Sequence, residues 1–125
     1  MRGGAGDDTF DLHNVLVDGE ARLDLGRGAG TLITDEGSRF RAGLEVEGRG
    51  DADHVDIHGG LDVARDARFE LRGGADVVAI QDARFAGDLF IRTGTGDDTV
   101  SLLDPTAVAG KTVIDTGTGT DVVVP

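Results

Sequence analysis

One spacing recurs along the whole of this 125-residue chain. With Asp98 as an anchor, the equivalent positions read Asp8, Thr31, Asp53, Asp76, Asp98 and Asp121, at steps of 23, 22, 23, 22 and 23. Two residues after each anchor stands an apolar residue: Phe10, Ile33, Val55, Val78, Val100 and Val123. Two further on come Leu12, Ile57, Ile80 and Leu102, with Asp35 as the interior exception. Apolar-x-apolar is the signature of a strand, whose side chains alternate between faces. A second apolar column holds Val17, Phe40, Val63, Phe85 and Val108. A third holds Leu44 and Val46, Ala67 and Phe69, Leu89 and Ile91, Thr112 and Ile114. In the first unit Leu23 and Leu25 take this part, displaced by one residue. That displacement reads as a one-residue deletion at 26–33, compensated by an insertion at 48–55.

A unit of 22 or 23 residues cannot bury its own apolar column. Stacked units can, each strand pairing with its equivalent about 4.8 Å away. The spacing therefore predicts an all-β parallel β-helix or β-roll: one solenoid domain over 1–125, of about five coils. Parallel crossovers are usually right-handed, so a right-handed coil is the expectation. No segment combines helix caps with a 3.6-residue period. An antiparallel sandwich would need hairpin turns and would have no reason to keep a common column register.

Glycine precedes every anchor, as Gly4 and Gly6, Gly28 and Gly30, Gly48 and Gly50, Gly73 and Gly74, Gly94 and Gly96, Gly117 and Gly119. Glycine at fixed offsets marks turns with positive φ or close backbone approach. The stretch 3–11, GGAGDDTFD, fits the nonapeptide G-G-x-G-x-D-x-U-x, where U is a large apolar residue. TGTGDDTVS (93–101) and TGTGTDVVV (116–124) fit apart from Thr at the first glycine, and RGGADVVA (72–79) keeps the last Gly, the Asp and the apolar residue. These stretches resemble the hemolysin-type calcium-binding repeats of the RTX family. The resemblance covers one corner per coil; the opposite side, such as QDARFAGDLFIR (81–92), departs from it. It implies Ca²⁺ held at the glycine-rich turns along one edge. It also implies a secreted or cell-surface bacterial protein; the lack of a catalytic set makes this module a non-enzymatic, structural one by expectation, and its uncapped ends read as those of a segment of a longer array. Carried onto this chain, the calcium ligands are Asp76, Asp97, Asp98 and Asp121, with sites between Asp76 and Asp98 and between Asp98 and Asp121.

The residues themselves leave two readings of the Asp column. Carboxylates and turn carbonyls can share Ca²⁺, which takes six to eight oxygens. The ion would also relieve repulsion in a ladder of carboxylates about 5 Å apart. Alternatively each Asp accepts turn N–H groups, as Asp does in ordinary turns.

Charge excludes several classes. With 24 acidic against 12 basic residues the net charge is −12, which opposes binding to nucleic acid or to anionic membranes. No apolar run approaches the ~20 residues of a membrane span. Cysteine is absent, so disulfides and thiolate sites are excluded. No GK[ST] follows the glycine-rich loops, so they are not phosphate cradles. His13 and His58 share a column two coils apart and read as surface residues, as does His54. No nucleophile–base–orienter set is expected from the repeat. An Asp pair of glycosidase spacing is conceivable, but the same column recurs in nearly every coil. A carbohydrate-active or ice-binding β-helix is accordingly a minor alternative, the latter on Thr93, Thr95, Thr116 and Thr118. Arg65, Arg68, Arg84 and Arg92 are expected to pair with nearby Asp. Neither end carries an amphipathic helix or polar cap, which leaves strand edges open to head-to-tail self-association. A metal-independent spacer or filament subunit is therefore the principal alternative function.

Overall fold

The computed structural model describes residues 1–124. Fourteen strands and no helix are present among them. The coils contribute β1 (Thr9–His13), β2 (Leu16–Val17) and β3 (Ala21–Asp24), then β4 (Thr31–Asp35), β5 (Arg39–Phe40) and β6 (Leu44–Glu47), then β7 (His54–Ile57), β8 (Leu61–Val63) and β9 (Ala67–Glu70). In the next coils the first two strands fuse, as β10 (Val77–Phe85) and β12 (Thr99–Val108), each followed by a shorter strand, β11 (Leu89–Arg92) and β13 (Thr112–Asp115). The last strand is β14 (Val122–Val124). Every strand pairing is parallel, and partners lie one coil apart. One sheet of nine strands wraps two faces of each coil, and a five-stranded sheet, β3 to β13, closes the third. The expected stacked β-solenoid is the observed fold, and the antiparallel sandwich is excluded.

The core is a set of ladders. Val100 sits between Val78 and Val123, and Phe85 between Val63 and Val108, as the spacing required. Phe40, Phe69 and Phe85 are fully enclosed. Ladders of like side chains fill the interior because each coil repeats its neighbour's backbone about 4.8 Å further along.

The second coil corrects the sequence reading. Thr9 pairs with Thr31 and Thr31 with His54, so the anchor is Gly30, and Thr31 lies one position after it. Leu32, fully buried, joins the Phe10 column, whereas Ile33 faces outward and is only half-buried. A slip of one residue exchanges the two faces of a strand. The adjacent pair Leu32 and Ile33 offers an apolar side chain to either register. Ala21 and Leu23, paired with Leu44 and Val46, replace Leu23 and Leu25 in the third column. With Gly30 as anchor neither a deletion nor a compensating insertion is needed. Asp35 ceases to be the interior exception; Thr34 is, with 1 % of its surface exposed.

The corner after β1 turns through a left-handed residue in four successive coils: Asn14, Glu36, Gly59 and Asp82. Buried Ser38 braces it. Its hydroxyl lies 3.1 Å from the carbonyl oxygens of both Leu12 and Asp35, between which its one proton is shared, and accepts the N–H of Val15.

Candidate cation site at the glycine–aspartate edge

The turns before β4, β12 and β14 bring glycine backbone against the glycine backbone of the preceding coil, as Gly28 on Gly6, Gly96 on Gly74 and Gly119 on Gly96. A Cβ at Gly96 would lie 1.7 Å from the carbonyl oxygen of Gly74, and Gly96 has φ 133°, so both space and conformation demand glycine. From β7 onward the anchor of each turn is an Asp that points inward. Asp53, Asp76 and Asp98 are each 1 % exposed or less.

The three carboxylates and Asp121 form a directed ladder. The N–H of Gly30 donates to Asp53 Oδ1 at 2.9 Å. The N–H of Asp53 donates to Asp76 Oδ1 at 2.8 Å, that of Asp76 to Asp98 Oδ1 at 2.9 Å, and that of Asp98 to Asp121 Oδ1 at 3.0 Å. Each carboxylate thus satisfies a backbone donor of the coil before it. The ladder stops at Gly30, which has no carboxylate to offer Asp8. Asp8 instead turns its Oδ2 to the N–H of Gly4 at 2.7 Å.

The second oxygen behaves differently. Oδ2 of Asp53, Asp76 and Asp98 is shielded from solvent and has no hydrogen-bond partner. A buried carboxylate oxygen without a partner disfavours the charged form. Burial pushes the Asp76 carboxyl up to about 7, against the opposing N–H bond of Asp53, and the Asp53 and Asp98 charges push the same way. Burial likewise pushes Asp53 up to about 6, with the Asp51 charge contributing. Gly48 stands where the equivalent interior positions carry Leu25 and Leu71; its absent side chain makes room for Asp53 Oδ2.

Of the residues assigned to calcium from sequence, Asp76, Asp98 and Asp121 share this inward column. Asp97 lies beside it on the exposed side, its Oδ1 accepting the N–H of Thr120 in the following coil at 2.8 Å. The column suits a hard cation in charge and donor type: anionic oxygens, buried, with no proton donor. Neighbouring rungs contribute one free carboxylate oxygen each, so six-fold coordination would draw on turn carbonyls as well.

A second cluster escaped the sequence reading. His13, Asp35 and Glu36 bring donor atoms within 4.8 Å of one another. His13 Nε2 lies 2.8 Å from Asp11 Oδ1, and its Nδ1 meets Asp35. Both ring nitrogens facing carboxylates favour the imidazolium, and Asp11 and Asp35 raise the His13 pKa above 6.5. Correct register was the missing signal: with Gly30 as anchor, Asp35 falls beside His13, between it and the next coil's His58. His58 Nδ1 is 2.8 Å from the carbonyl of Thr34.

On the outer faces Arg68 pairs with Glu70 and Arg92 with Asp115, while Arg65 and Arg84 form no ion pair among the described residues. The Thr ladder is turn-supporting: Thr95 bridges Gly73 and Thr118, and buried Thr93 bonds the carbonyl of Thr116. Among the described residues no helix is long and apolar enough to cross a membrane. No protein family, curated protein or solved structure matches the chain.

Proposed function

We propose that this chain is a non-enzymatic structural module of a large secreted or surface bacterial protein, stiffened by calcium along its glycine–aspartate edge. The observation that carries the calcium is the row of buried, unpartnered Oδ2 atoms of Asp53, Asp76 and Asp98. Asp76, Asp98 and Asp121 would hold the ion, and its charge would offset their mutual repulsion. The structural role rests on recurrence: the same arrangement appears in coil after coil, as suits a scaffold better than a single reaction centre. The RTX-like motif supplies the extracellular setting, where millimolar calcium is met.

A second reading has its own support. The Oδ1 bonds to backbone N–H need no ion, and a carboxyl pushed up to about 7 can be neutralised by a proton. The module would then be a metal-independent spacer. Thermal melts followed by circular dichroism, in chelator and in millimolar Ca²⁺ at pH 8, separate the two. Calcium stiffening raises the melting temperature; an unchanged melting temperature rejects it in favour of the spacer.

A further inference from the structure

We infer that the corner formed by Arg2, Arg27 and Arg49 is a binding site for an oxyanion, a carboxylate, sulfate or phosphate group carried by a ligand. The molecule has a net charge of −12, yet three of its twelve basic residues meet around one cavity of about 250 Å³. The rest of the lining is turn backbone, chiefly Gly3, Gly4 and Gly26. Glycine backbone lets a ligand approach closely, and the guanidinium fork matches the oxygens of carboxylates and phosphates.

One carboxylate lies against these arginines, and its capacity is filled. Asp24 is 7 % exposed. Its Oδ1 accepts Arg49 Nε at 3.0 Å and the N–H of Gly26 at 3.1 Å. Its Oδ2 accepts Arg49 Nη2 at 2.5 Å and lies 3.3 Å from Arg2 Nε. A carboxylate has about four lone-pair positions, whereas each guanidinium carries five N–H donors. Asp24 therefore fixes Arg49 and steadies Arg2 while leaving most of their donors unanswered. Arg27 forms no ion pair among the described residues and is exposed. Three guanidinium charges at this corner face the carboxylates of Asp24 and of Asp8, whose Oδ2 accepts the N–H of Gly4, so positive charge stays in excess by one in a molecule where negative charge otherwise dominates. The cavity is far larger than the ~30 Å³ share of one water, so the oxyanion fits there as part of a larger group.

The test is a two-dimensional ¹H–¹⁵N NMR titration with sodium sulfate, sodium phosphate and sodium acetate, each against sodium chloride at matched ionic strength. The expected result is saturable shifts of the Gly3, Gly4, Gly26 and Arg27 amides with at least one oxyanion and none with chloride. The three arms identify which oxyanion geometry is preferred. Arg27→Ala should weaken that binding about tenfold or more, because a charge-assisted bond is lost. Arg2→Gln serves as an independent variant, with far-UV circular dichroism confirming the fold of each. Shifts that never saturate, that chloride reproduces, or that survive in both variants overturn the inference.

Discussion

The Oδ2 atom of Asp53 occupies the space that a side chain at Gly48 would need: a Cβ built there lies 1.9 Å away. The two residues face each other across the inside of one glycine–aspartate turn. Gly48→Ala should therefore destabilise the protein by about 1–3 kcal/mol, the usual range for overpacking a core. The double variant Gly48→Ala with Asp53→Ala should recover part of that loss. Urea unfolding of the wild type, both single variants and the double variant gives the coupling. Strict additivity would show that the contact is not the cause.

The ladder bonds predict a contrast at Asp76. Asp76→Ala leaves the buried N–H of Asp53 without its acceptor and should cost about 1–3 kcal/mol. Asp76→Asn keeps an Oδ1 acceptor and removes the charge. In chelator at pH 8 it should unfold at higher urea than Asp76→Ala, and it should respond less to added Ca²⁺ than the wild type. Equal loss in the two variants would mean that charge, not the N–H bond, governs the site.

Stability should rise as the pH falls from 8 to 5 in ion-free buffer. Asp76 and Asp53 have folded pKa values of about 7 and about 6, above the usual 3.8. The folded state therefore binds protons more tightly than the unfolded chain in this window, and lowering the pH favours folding. Asp24 and Glu70 work in the opposite sense. Arg49 and Arg68 hold their carboxyls below the usual range, so their contribution is lost only at lower pH, as they protonate. Melting temperatures across pH 5–8 in chelator check the sign, and Asp76→Asn should flatten the slope. Calcium should stabilise more at pH 8 than at pH 5, because proton and cation compete for the same oxygens.

His13 provides a local prediction. Its imidazole, bonded by Asp11 and Asp35, should titrate above 6.5 in the folded protein. Its contribution to stability is present below the unfolded value and is lost as the pH rises through the folded one. Asp35→Asn should lower the midpoint, read from the His13 ring protons by NMR. A midpoint indifferent to that substitution would remove the inter-coil clamp.

The columns Phe40–Val63–Phe85 and Val55–Val78–Val100 were legible in the sequence because an apolar residue recurs there at steps of 22 or 23. Register in the second coil was not, because Leu32 and Ile33 are both apolar and either can fill the core. Packing decided it: Leu25 and Asp53 crowd residue 30 so closely that only glycine fits. The Asp column was visible as a pattern, but its inward direction was not. Spacing cannot say whether a turn carboxylate bonds the coil before it or meets solvent, which is the difference between Asp98 and its neighbour Asp97. The His13–Asp35 pairing was hidden by the same one-residue slip.

The interruption of the ladder at Gly30 changes what holds the first two coils together. From Gly30 to Asp121 each coil is tied to the next by a backbone N–H on an inward-facing Asp carboxyl. Between Asp8 and Gly30 that inward rung is missing, and outer ties stand in for it: the N–H of Ala29 on Asp7 Oδ1 at 3.0 Å, the N–H of Gly43 on Glu20 Oε2 at 3.0 Å, and the His13–Asp35 pair. In a stack whose cohesion resides in nearest-neighbour interfaces, that junction is the one whose carboxylate ties lie toward solvent. High salt should therefore loosen the first coil before the coils behind it, whose rungs are enclosed.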